Sequence, residues 1–247
     1  MPTDTPPIPP AVLRERVTSS TDANVFHETG LQTLDEWSRA LAAVKADLEA
    51  TTTMMDFGCG AGRVLRHLAS RKRRGQRLIG ADVDEMAIDW VRQNLSEAEA
   101  VLLPAMPPST LDSDTIDLIL SHSVFTHLPE DVQLAWINEL HRCLRPQGIL
   151  LTSIHGRAAS HNHFLEMVGA LQFERAEEFL RQLSSLGFFY KKILTTVSEG
   201  ELPDYYGAAF HRLHYIEDRW VPGRFELLAY LPGASLKFQD IVILRKL

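Results

Sequence analysis

The sequence predicts an α/β protein with a doubly wound, Rossmann-like sheet of seven strands, mostly parallel with an antiparallel last strand. Two observations support this prediction. Between residues 51 and 154, five short apolar runs alternate with segments of helical spacing, as in a parallel sheet with helices on both faces. At the end of the chain, two further β-prone runs are joined by fewer than about a dozen residues, so they can only pair antiparallel.

The predicted elements follow one another in a regular order. Apolar side chains three and four residues apart in 31–50 predict a first helix with one apolar stripe. The run TTTMMDF at 51–57 predicts the first strand, and RVLRHLAS at 63–70 predicts the helix after it. Later strands are predicted at 76–82, 99–104, 115–121, 149–154, 224–231 and 240–247, and later helices at 85–95, 130–144 and 174–186.

The chain divides into an arm and one domain. Residues 1–20 contain five of the thirteen prolines and few large apolar side chains, so we expect a mobile arm. Residues 21–247 show no repeat and no second core, which predicts a single domain. Within it, residues 156–220 interrupt the alternation of strand and helix and are long for a connection. We expect this segment to cover the substrate.

Composition narrows the class of protein. A net charge of -7 argues against a general nucleic-acid binder. The sequence contains no run of eighteen apolar residues, so no membrane span is predicted. The proline-rich start does not resemble a signal peptide, and two cysteines are too few for a disulfide framework. We therefore expect a cytoplasmic protein that acts on a small molecule. His161 and His163 alone are a weak metal signal, so they are expected in a loop and no metal is predicted.

The stretch DFGCGAGR at 56–63 predicts a ligand site. Its glycines, Gly58, Gly60 and Gly62, follow the first strand, and ligands of doubly wound sheets bind beyond the carboxyl ends of the strands. The dinucleotide pattern G-x-G-x-x-G would require glycine where Arg63 stands. Asp82 ends the second strand, twenty residues after Gly62, and its two oxygens can accept from two ribose hydroxyls.

Together the two motifs, D-x-G-x-G-x-G and GADVD, resemble those of class I S-adenosylmethionine-dependent methyltransferases. Residues 115–156 also resemble the fourth strand, helix and fifth strand of that family, with Ile116 and Gln147 as departures from its pattern. The end of the chain is similar to a bacterial subgroup of small-molecule methyltransferases. The resemblance covers most of residues 25–247.

The resemblance implies S-adenosylmethionine as cofactor and methyl transfer to an oxygen or nitrogen of a small molecule. It assigns the methionine and ribose part to the glycine loop, the ribose hydroxyls to Asp82, the adenine to the second and third strand ends, and the methionine moiety to the fourth. The implied cofactor residues are Asp56, Gly58, Gly60, Gly62, Asp82, Val83, Ala105, Met106, Ser121 and His122.

Methyl transfer depends mainly on alignment and on exclusion of water, although a general base assists a neutral acceptor. Of ten histidines, His155 at the end of the fifth strand and His211 in the loose segment are the candidates. His127 is expected to hold its own loop. Tyr205 and Tyr206 are expected either to cover the substrate or to pack in the core.

Two other functions are compatible with the same sequence. A non-catalytic module could bind S-adenosylmethionine in this pocket to regulate a partner. A nicotinamide-dependent oxidoreductase shares the general fold, but Arg63 disfavours it because the third glycine of the dinucleotide pattern is missing.

Overall fold

A single seven-stranded sheet organises the molecule. The computed structural model describes residues 6–193 and 203–247. Its strands are β1 (Thr53–Phe57), β2 (Arg77–Asp82), β3 (Glu99–Leu102), β4 (Ile116–Ser121), β5 (Leu144–Ile154), β6 (Phe188–Lys192), β7 (Gly207–His211), β8 (Phe225–Ser235) and β9 (Gln239–Lys246).

The strand order of the main sheet is β3-β2-β1-β4-β5-β9-β8, and β6 and β7 form a separate two-stranded sheet. Neighbours from β3 to β5 pair in parallel, whereas β9 is antiparallel to both β5 and β8. From β1 the chain adds β2 and then β3 on one side, and it returns to add β4 on the other side of β1. The strand order therefore reverses between β1 and β4. These observations confirm the predicted fold class, including the antiparallel last strand.

Helices cover both faces of the sheet. They are α1 (Ala11–Thr18), α2 (Ala23–Ala43), α3 (Leu65–Arg71), α4 (Glu85–Asn94), α5 (Glu130–Cys143), α6 (Arg157–Gly169), α7 (Phe173–Ser185) and α8 (Leu213–Tyr215), the last continuing as a π-helical turn (Ile216–Trp220). Two helix starts are fixed by aspartates, since Asp22 accepts from the amide of Asn24 and Asp84 from the amide of Ala87.

The alternation of side chains along β1 builds a core on each side of the sheet. Met55 packs into one cluster of buried residues with Trp136 and Trp220, and Met54 packs into the other with Trp37. Strands in the middle of the sheet are therefore buried on both faces, which explains why the sequence shows them as continuous apolar runs.

The predicted cover segment contains more regular structure than the sequence indicates. Helices α6 and α7 and the β6–β7 hairpin share a small core of their own: Ala159, Met167, Ala176, Phe179, Leu183 and Phe210. His161 and His163 lie in α6, so the loop predicted for them is wrong. Helix α6 has no regular apolar stripe, and it packs against α7, β7, β8 and β9.

The predicted arm also differs from the structure. Residues 11–18 form helix α1, with Leu13 buried, while residues 1–5 lie outside the described part of the chain. The mobility of the arm stays a prediction. Helix α2 begins at Ala23 and ends at Ala43, earlier at both ends than the apolar stripe suggests. No helix within 6–193 or 203–247 is long and apolar enough to cross a membrane.

Candidate active site

A cavity of about 580 Å³ opens at the carboxyl ends of β1, β2 and β4, where the strand order reverses. Its volume lies in the range typical of small-molecule sites. The lining residues that matter below come from the glycine loop, the strand ends, α1 and the β6–β7 hairpin: Arg16, Val17, Asp56, Gly58, Gly60, Arg63, Asp82, Val83, Leu103, His122, His127, Tyr205, Tyr206 and Phe238.

The glycine loop is shaped so that a side chain could not replace its bare backbone. Gly58 and Gly60 have φ values of 79° and 51°, which disfavour other residues. A Cβ on Gly58 would lie 2.1 Å from Val124 Cγ2, and one on Gly60 would lie 2.7 Å from Val17 Cγ2. Gly62 does not line the cavity; its φ of 84° and its packing against Leu95 shape the turn.

Asp82 closes the second strand beside this loop. One carboxylate oxygen accepts from the amide of Gly60 at 2.6 Å and the other from the amide of Asp84 at 3.0 Å. Each oxygen can accept a second hydrogen bond. Burial raises the pKa of Asp82, although these two amides oppose the rise. The carboxylate is thus oriented by backbone donors and retains capacity to accept from a ligand.

Two further charged side chains lie in the cavity wall. Asp56 is 2% exposed, and its pKa is raised to about 7, because burial raises it more than Arg63 lowers it, with a smaller rise from Asp82. Arg63 is 5% exposed, and burial lowers its pKa to about 10. Its Nη1 donates to the carbonyl of Thr29 at 2.8 Å and to Thr33 Oγ1 at 3.0 Å. From the sequence, Arg63 is notable only because it stands where the dinucleotide pattern requires its third glycine.

Helix α1 forms one edge of the cavity. Residues 16–19 line it, and Arg16 Nη1 lies 2.8 Å from Asp84 Oδ2, with both side chains largely buried. Sequence reasoning missed this contribution because the helix is short and follows a proline-rich segment. The available signal was apolar residues at Leu13 and Val17, one helical turn apart, directly after Pro10.

Of the residues predicted to meet the cofactor's adenine, Val83 lines the cavity, whereas Ala105 and Met106 do not, and Met106 is 43% exposed. Leu103, which was not predicted, also lines the cavity. The carbonyl of Ala105 accepts a hydrogen bond from the Tyr205 hydroxyl. The third-strand loop therefore contacts the hairpin segment instead of opening its side chains to the cavity.

The two residues predicted to lie beside the methionine moiety, at the end of β4, also differ in position. His122 lines the cavity, and burial lowers its pKa well below the ordinary value. Ser121 is fully buried in the sheet and does not line the cavity. Ser123, next along, has a φ of 61° and is held by hydrogen bonds to Ser153 and Gln239. This network fixes the turn that presents His122.

Neither histidine predicted as a base lines the cavity. His211 is 0% exposed, its Nε2 lies 2.9 Å from Gln133 Oε1, and burial lowers its pKa to about 3. Its ring is enclosed in the core and does not reach the cavity, and its catalytic role stays a prediction. His155 lies behind Phe238, its Nδ1 is 3.2 Å from the carbonyl of Ala209, and burial lowers its pKa to about 4.

A second histidine that lines the cavity, besides His122, is His127. Its Nδ1 lies 2.9 Å from the carbonyl of Gly207, and its ring stacks on Tyr206 with centroids 4.4 Å apart. A carbonyl can only accept, so Nδ1 carries the proton in the neutral ring and Nε2 carries the lone pair. Burial lowers the pKa of His127. It holds its loop, as expected, and it is also exposed to the cavity.

Tyr205 and Tyr206 extend over the cavity from the segment before β7. Burial raises the pKa of Tyr206 to about 12, and Asp82 adds to the rise, which shows that this phenol lies near the second strand end. The hairpin is joined to the site by its backbone. Gly207 and Ala209 donate to the carbonyls of His127 and Thr126, respectively.

The seven-stranded order, the open glycine loop and the carboxylate after the next strand define the class I S-adenosylmethionine-dependent methyltransferase fold. Residues 55–152 match the family described as a methyltransferase domain. The matched domain and the fold are those of the class I S-adenosylmethionine-dependent methyltransferases, whose cofactor is S-adenosylmethionine. Within the described part of the chain, no three His, Cys, Asp or Glu side chains are placed to hold a metal.

Similar proteins differ in what they methylate. The N-demethylindolmycin N-methyltransferase of Streptomyces griseus is 30% identical over 116 residues, covering 45% of this chain and 48% of its own. The ribosomal protein L11 methyltransferase of Staphylococcus haemolyticus is 21% identical over 159 residues, covering 63% and 44%. The chain thus spans less than half the length of these curated relatives. A solved methyltransferase from Aquifex aeolicus shares the fold, with a TM-score of 0.53 and 16% identity over 91% of this chain and 96% of that one.

Proposed function

We propose that the protein transfers the methyl group of S-adenosylmethionine to an oxygen or nitrogen atom of a small-molecule acceptor. The observation that carries the proposal is a single cavity that contains the glycine loop, the oriented carboxylate of Asp82 and the ring of His127. When bound, the cofactor supplies an activated methyl group on a positively charged sulfur. The protein's own residues must hold it, align the acceptor and keep water out.

The cavity fits this cofactor by its shape and its acceptors. Gly58 and Gly60 line the cavity in backbone conformations that favour glycine, and the space where a Cβ would stand is filled by Val124 and Val17. Asp82 retains acceptor capacity for the two ribose hydroxyls, and Val83 and Leu103 offer apolar surface for the adenine. His122, at the end of the fourth strand, is proposed to lie beside the methionine moiety.

His127 is the proposed proton acceptor, in place of His155 and His211. Its Nδ1 is directed at the carbonyl of Gly207, and its lowered pKa keeps the ring neutral at pH 7. The Nε2 lone pair can then accept the proton that a hydroxyl or amine loses as it is methylated. Such assistance contributes about 10²- to 10⁴-fold in rate.

Residues 156–220 are proposed to cover the acceptor. In support, Tyr205 and Tyr206 of this segment line the cavity opposite the glycine loop's helix, and the β6–β7 hairpin is hydrogen-bonded to the loop after β4. An enclosed cavity favours a small acceptor over a folded protein. The Streptomyces griseus relative, which by its name methylates a nitrogen of a small molecule, agrees with this choice. A Tyr206→Leu variant that leaves turnover and acceptor KM unchanged would contradict the assignment.

The test is methyl transfer from cofactor labelled with deuterium on its methyl group. N-demethylindolmycin and a panel of small phenols and amines serve as acceptors, and mass spectrometry detects both labelled product and S-adenosylhomocysteine. Asp82→Asn should raise the KM for the cofactor by up to about 10- to 100-fold, whereas the matched change at an exposed neighbour, Glu85→Gln, should leave it unchanged. Failure to bind S-adenosylhomocysteine would refute the proposal. Binding without turnover of any acceptor would favour the regulatory module instead.

A further inference from the structure

The charged side chains that line the cavity are confined to one part of it. All of them come from α1, from the glycine loop or from the stretch at and just after the end of β2: Arg16, Asp56, Arg63, Asp82 and Asp84. The opposite part is formed by lining residues within 122–128, 203–206 and 236–239. Among the described residues, none of those that line this part is an acid, a lysine or an arginine. We call it the uncharged side of the cavity.

The neutrality of the uncharged side extends to its histidines and its surroundings. Asp204 and Lys237, which lie within the same ranges, are exposed and do not line the cavity. His122 and His127 are neutral at pH 7, because burial lowers the pKa of each. A charged group buried here would lose its hydration, and the described lining residues carry no charge to compensate it. The uncharged side therefore favours a ligand that is neutral where it contacts the protein.

The polar side chains on the uncharged side are already hydrogen-bonded to one another. Ser123 Oγ lies 2.9 Å from Thr126 Oγ1 and accepts from Gln239 Nε2 at 2.8 Å. The other amide atom, Gln239 Oε1, accepts from Ser153 Oγ at 2.6 Å. Because these groups are occupied, they hold the loop after β4 and the start of β9 in place and leave little hydrogen-bonding capacity for a ligand. A mainly apolar ligand fits this surface best.

Aromatic rings form a continuous row along the same side. Tyr206 stacks on His127, with ring centroids 4.4 Å apart. His127 meets His155 edge to face at 6.2 Å, and His155 meets Phe238 edge to face at 5.5 Å. Tyr206, His127 and Phe238 line the cavity, and we call these three the aromatic wall. Such a surface favours an aromatic ligand, because offset-stacked and edge-to-face contacts add to the gain from apolar burial.

Phe238 is held at the cavity by the turn between β8 and β9. Leu236 and Lys237, directly before it, have φ values of 50° and 57°, which are uncommon for residues other than glycine. The amide of Leu236 donates to Glu36 Oε2 at 2.9 Å, so the turn is tied to α2. Phe238 is 38% exposed although it lines the cavity. An aromatic ligand that covers this ring buries further apolar area.

We propose that the methyl acceptor is an uncharged aromatic molecule whose ring lies against Tyr206, His127 and Phe238, with its hydroxyl or amino group at Nε2 of His127. This inference rests on the proposed function and adds the substrate class to it. The acceptor's oxygen or nitrogen forms the bond to the methyl carbon, the electron pair of the carbon–sulfur bond stays on sulfur, and the acceptor's proton passes to His127. Phe238 is thereby a specificity-determining residue outside the segment 156–220.

The test compares four probes for binding to the protein saturated with S-adenosylhomocysteine, by NMR titration up to the solubility of each probe. They are 4-propylphenol, its anionic analogue 3-(4-hydroxyphenyl)propanoate, its cationic analogue tyramine and its saturated analogue 4-propylcyclohexanol. 4-Propylphenol should bind at least about 10-fold more tightly than either charged probe, because a buried charge would stay uncompensated. It should bind about 2- to 10-fold more tightly than 4-propylcyclohexanol, because only the aromatic ring makes the ring contacts.

Variants of Phe238 connect this preference to the aromatic wall. Phe238→Ala should weaken 4-propylphenol about 10-fold and leave S-adenosylhomocysteine within about threefold. Phe238→Arg places a cation on the uncharged side, so it should reverse the preference between 4-propylphenol and 3-(4-hydroxyphenyl)propanoate. Phe173→Ala is the matched control, because Phe173 is 59% exposed and does not line the cavity. It should leave all these affinities unchanged.

The proposal is overturned if a charged or a saturated probe binds as tightly as 4-propylphenol, or if no probe binds the saturated protein. It is also overturned if Phe238→Ala leaves the affinity for 4-propylphenol unchanged. If S-adenosylhomocysteine does not bind the wild type, the proposed function fails instead. The comparison of probes on the wild type stands even if a Phe238 variant does not fold.

Discussion

Replacing Asp56 by asparagine should stabilise the ligand-free protein at alkaline pH. The burial of Asp56 raises its pKa from 3.8 to about 7, so the folded state holds a proton that the unfolded chain has already lost. The contribution of this carboxyl to stability is full below the unfolded pKa and is lost as the pH rises through the folded pKa. Above pH 7 the folded protein contains a buried carboxylate, and asparagine removes that charge while keeping the size of the side chain.

The magnitude follows from the same shift. At about 1.4 kcal/mol for each pKa unit, a rise from 3.8 to about 7 corresponds to about 4 kcal/mol at pH 8. At pH 5 the difference in stability between the two proteins should be below about 2 kcal/mol. The carboxyl of Asp56 is then protonated in the folded state, and in the unfolded state the pH is only about one unit above its pKa. The raised pKa of Asp56 already includes the effects of the charges on Arg63 and Asp82, so neither charge is added to this free energy again.

The assay is urea denaturation of wild type and Asp56→Asn, without ligand, at pH 5, 6.5 and 8. The difference in unfolding free energy between the two proteins is the measured quantity. Buried histidines with lowered pKa values, such as His155 and His211, destabilise both proteins equally as the pH falls, so they cancel in that difference. A difference that does not change with pH, or a variant less stable than wild type at pH 8, would refute the reasoning.

Four other substitutions separate binding, shape and packing. Asp82→Ala removes a charge-assisted acceptor and should weaken S-adenosylhomocysteine about 10- to 100-fold by calorimetry; an unchanged affinity would contradict the ribose assignment. Gly60→Ala forces a Cβ within 2.7 Å of Val17 Cγ2 at a positive φ, so both affinity and the melting temperature should fall, and normal values would show that the loop yields easily. His211→Asn should lower the melting temperature with little effect on acceptor KM, whereas His127→Asn should lower kcat and remove the acidic limb of its pH profile; the reverse pattern would restore His211 as the base.

The fold and the cofactor side of the site could be predicted because their signals are local. Strands buried on both faces appear as apolar runs, and the geometry of a parallel sheet brings the end of β1, with Gly58, next to the end of β2, with Asp82. One motif on each strand is enough to define the contact between them.

The rest depends on packing between distant segments. Histidine is a common residue type in active sites, which is why His211 was a candidate. Its ring is enclosed because β7 packs against Gln133 of α5, and no local sequence pattern records that contact. His127 enters the cavity because the carbonyl of Gly207 turns its ring, 80 residues away in sequence. In the sequence, Arg63 only occupies the place of a glycine in the dinucleotide pattern, and its hydrogen bonds to Thr29 and Thr33 of α2 are recorded by no local signal.

The carbonyls of Gly207 and Ala209 each face the Nδ1 of one histidine, His127 and His155 respectively, from alternate positions of β7. Because these contacts use main-chain oxygens of β7, side chains of the hairpin that do not pack on the two imidazoles can be exchanged while both hydrogen bonds are kept. A library that randomises the outward-facing positions of the hairpin should therefore change acceptor preference while His127, the proposed proton acceptor, keeps its hydrogen bond to Gly207. This hairpin is thus a suitable starting point for directed evolution.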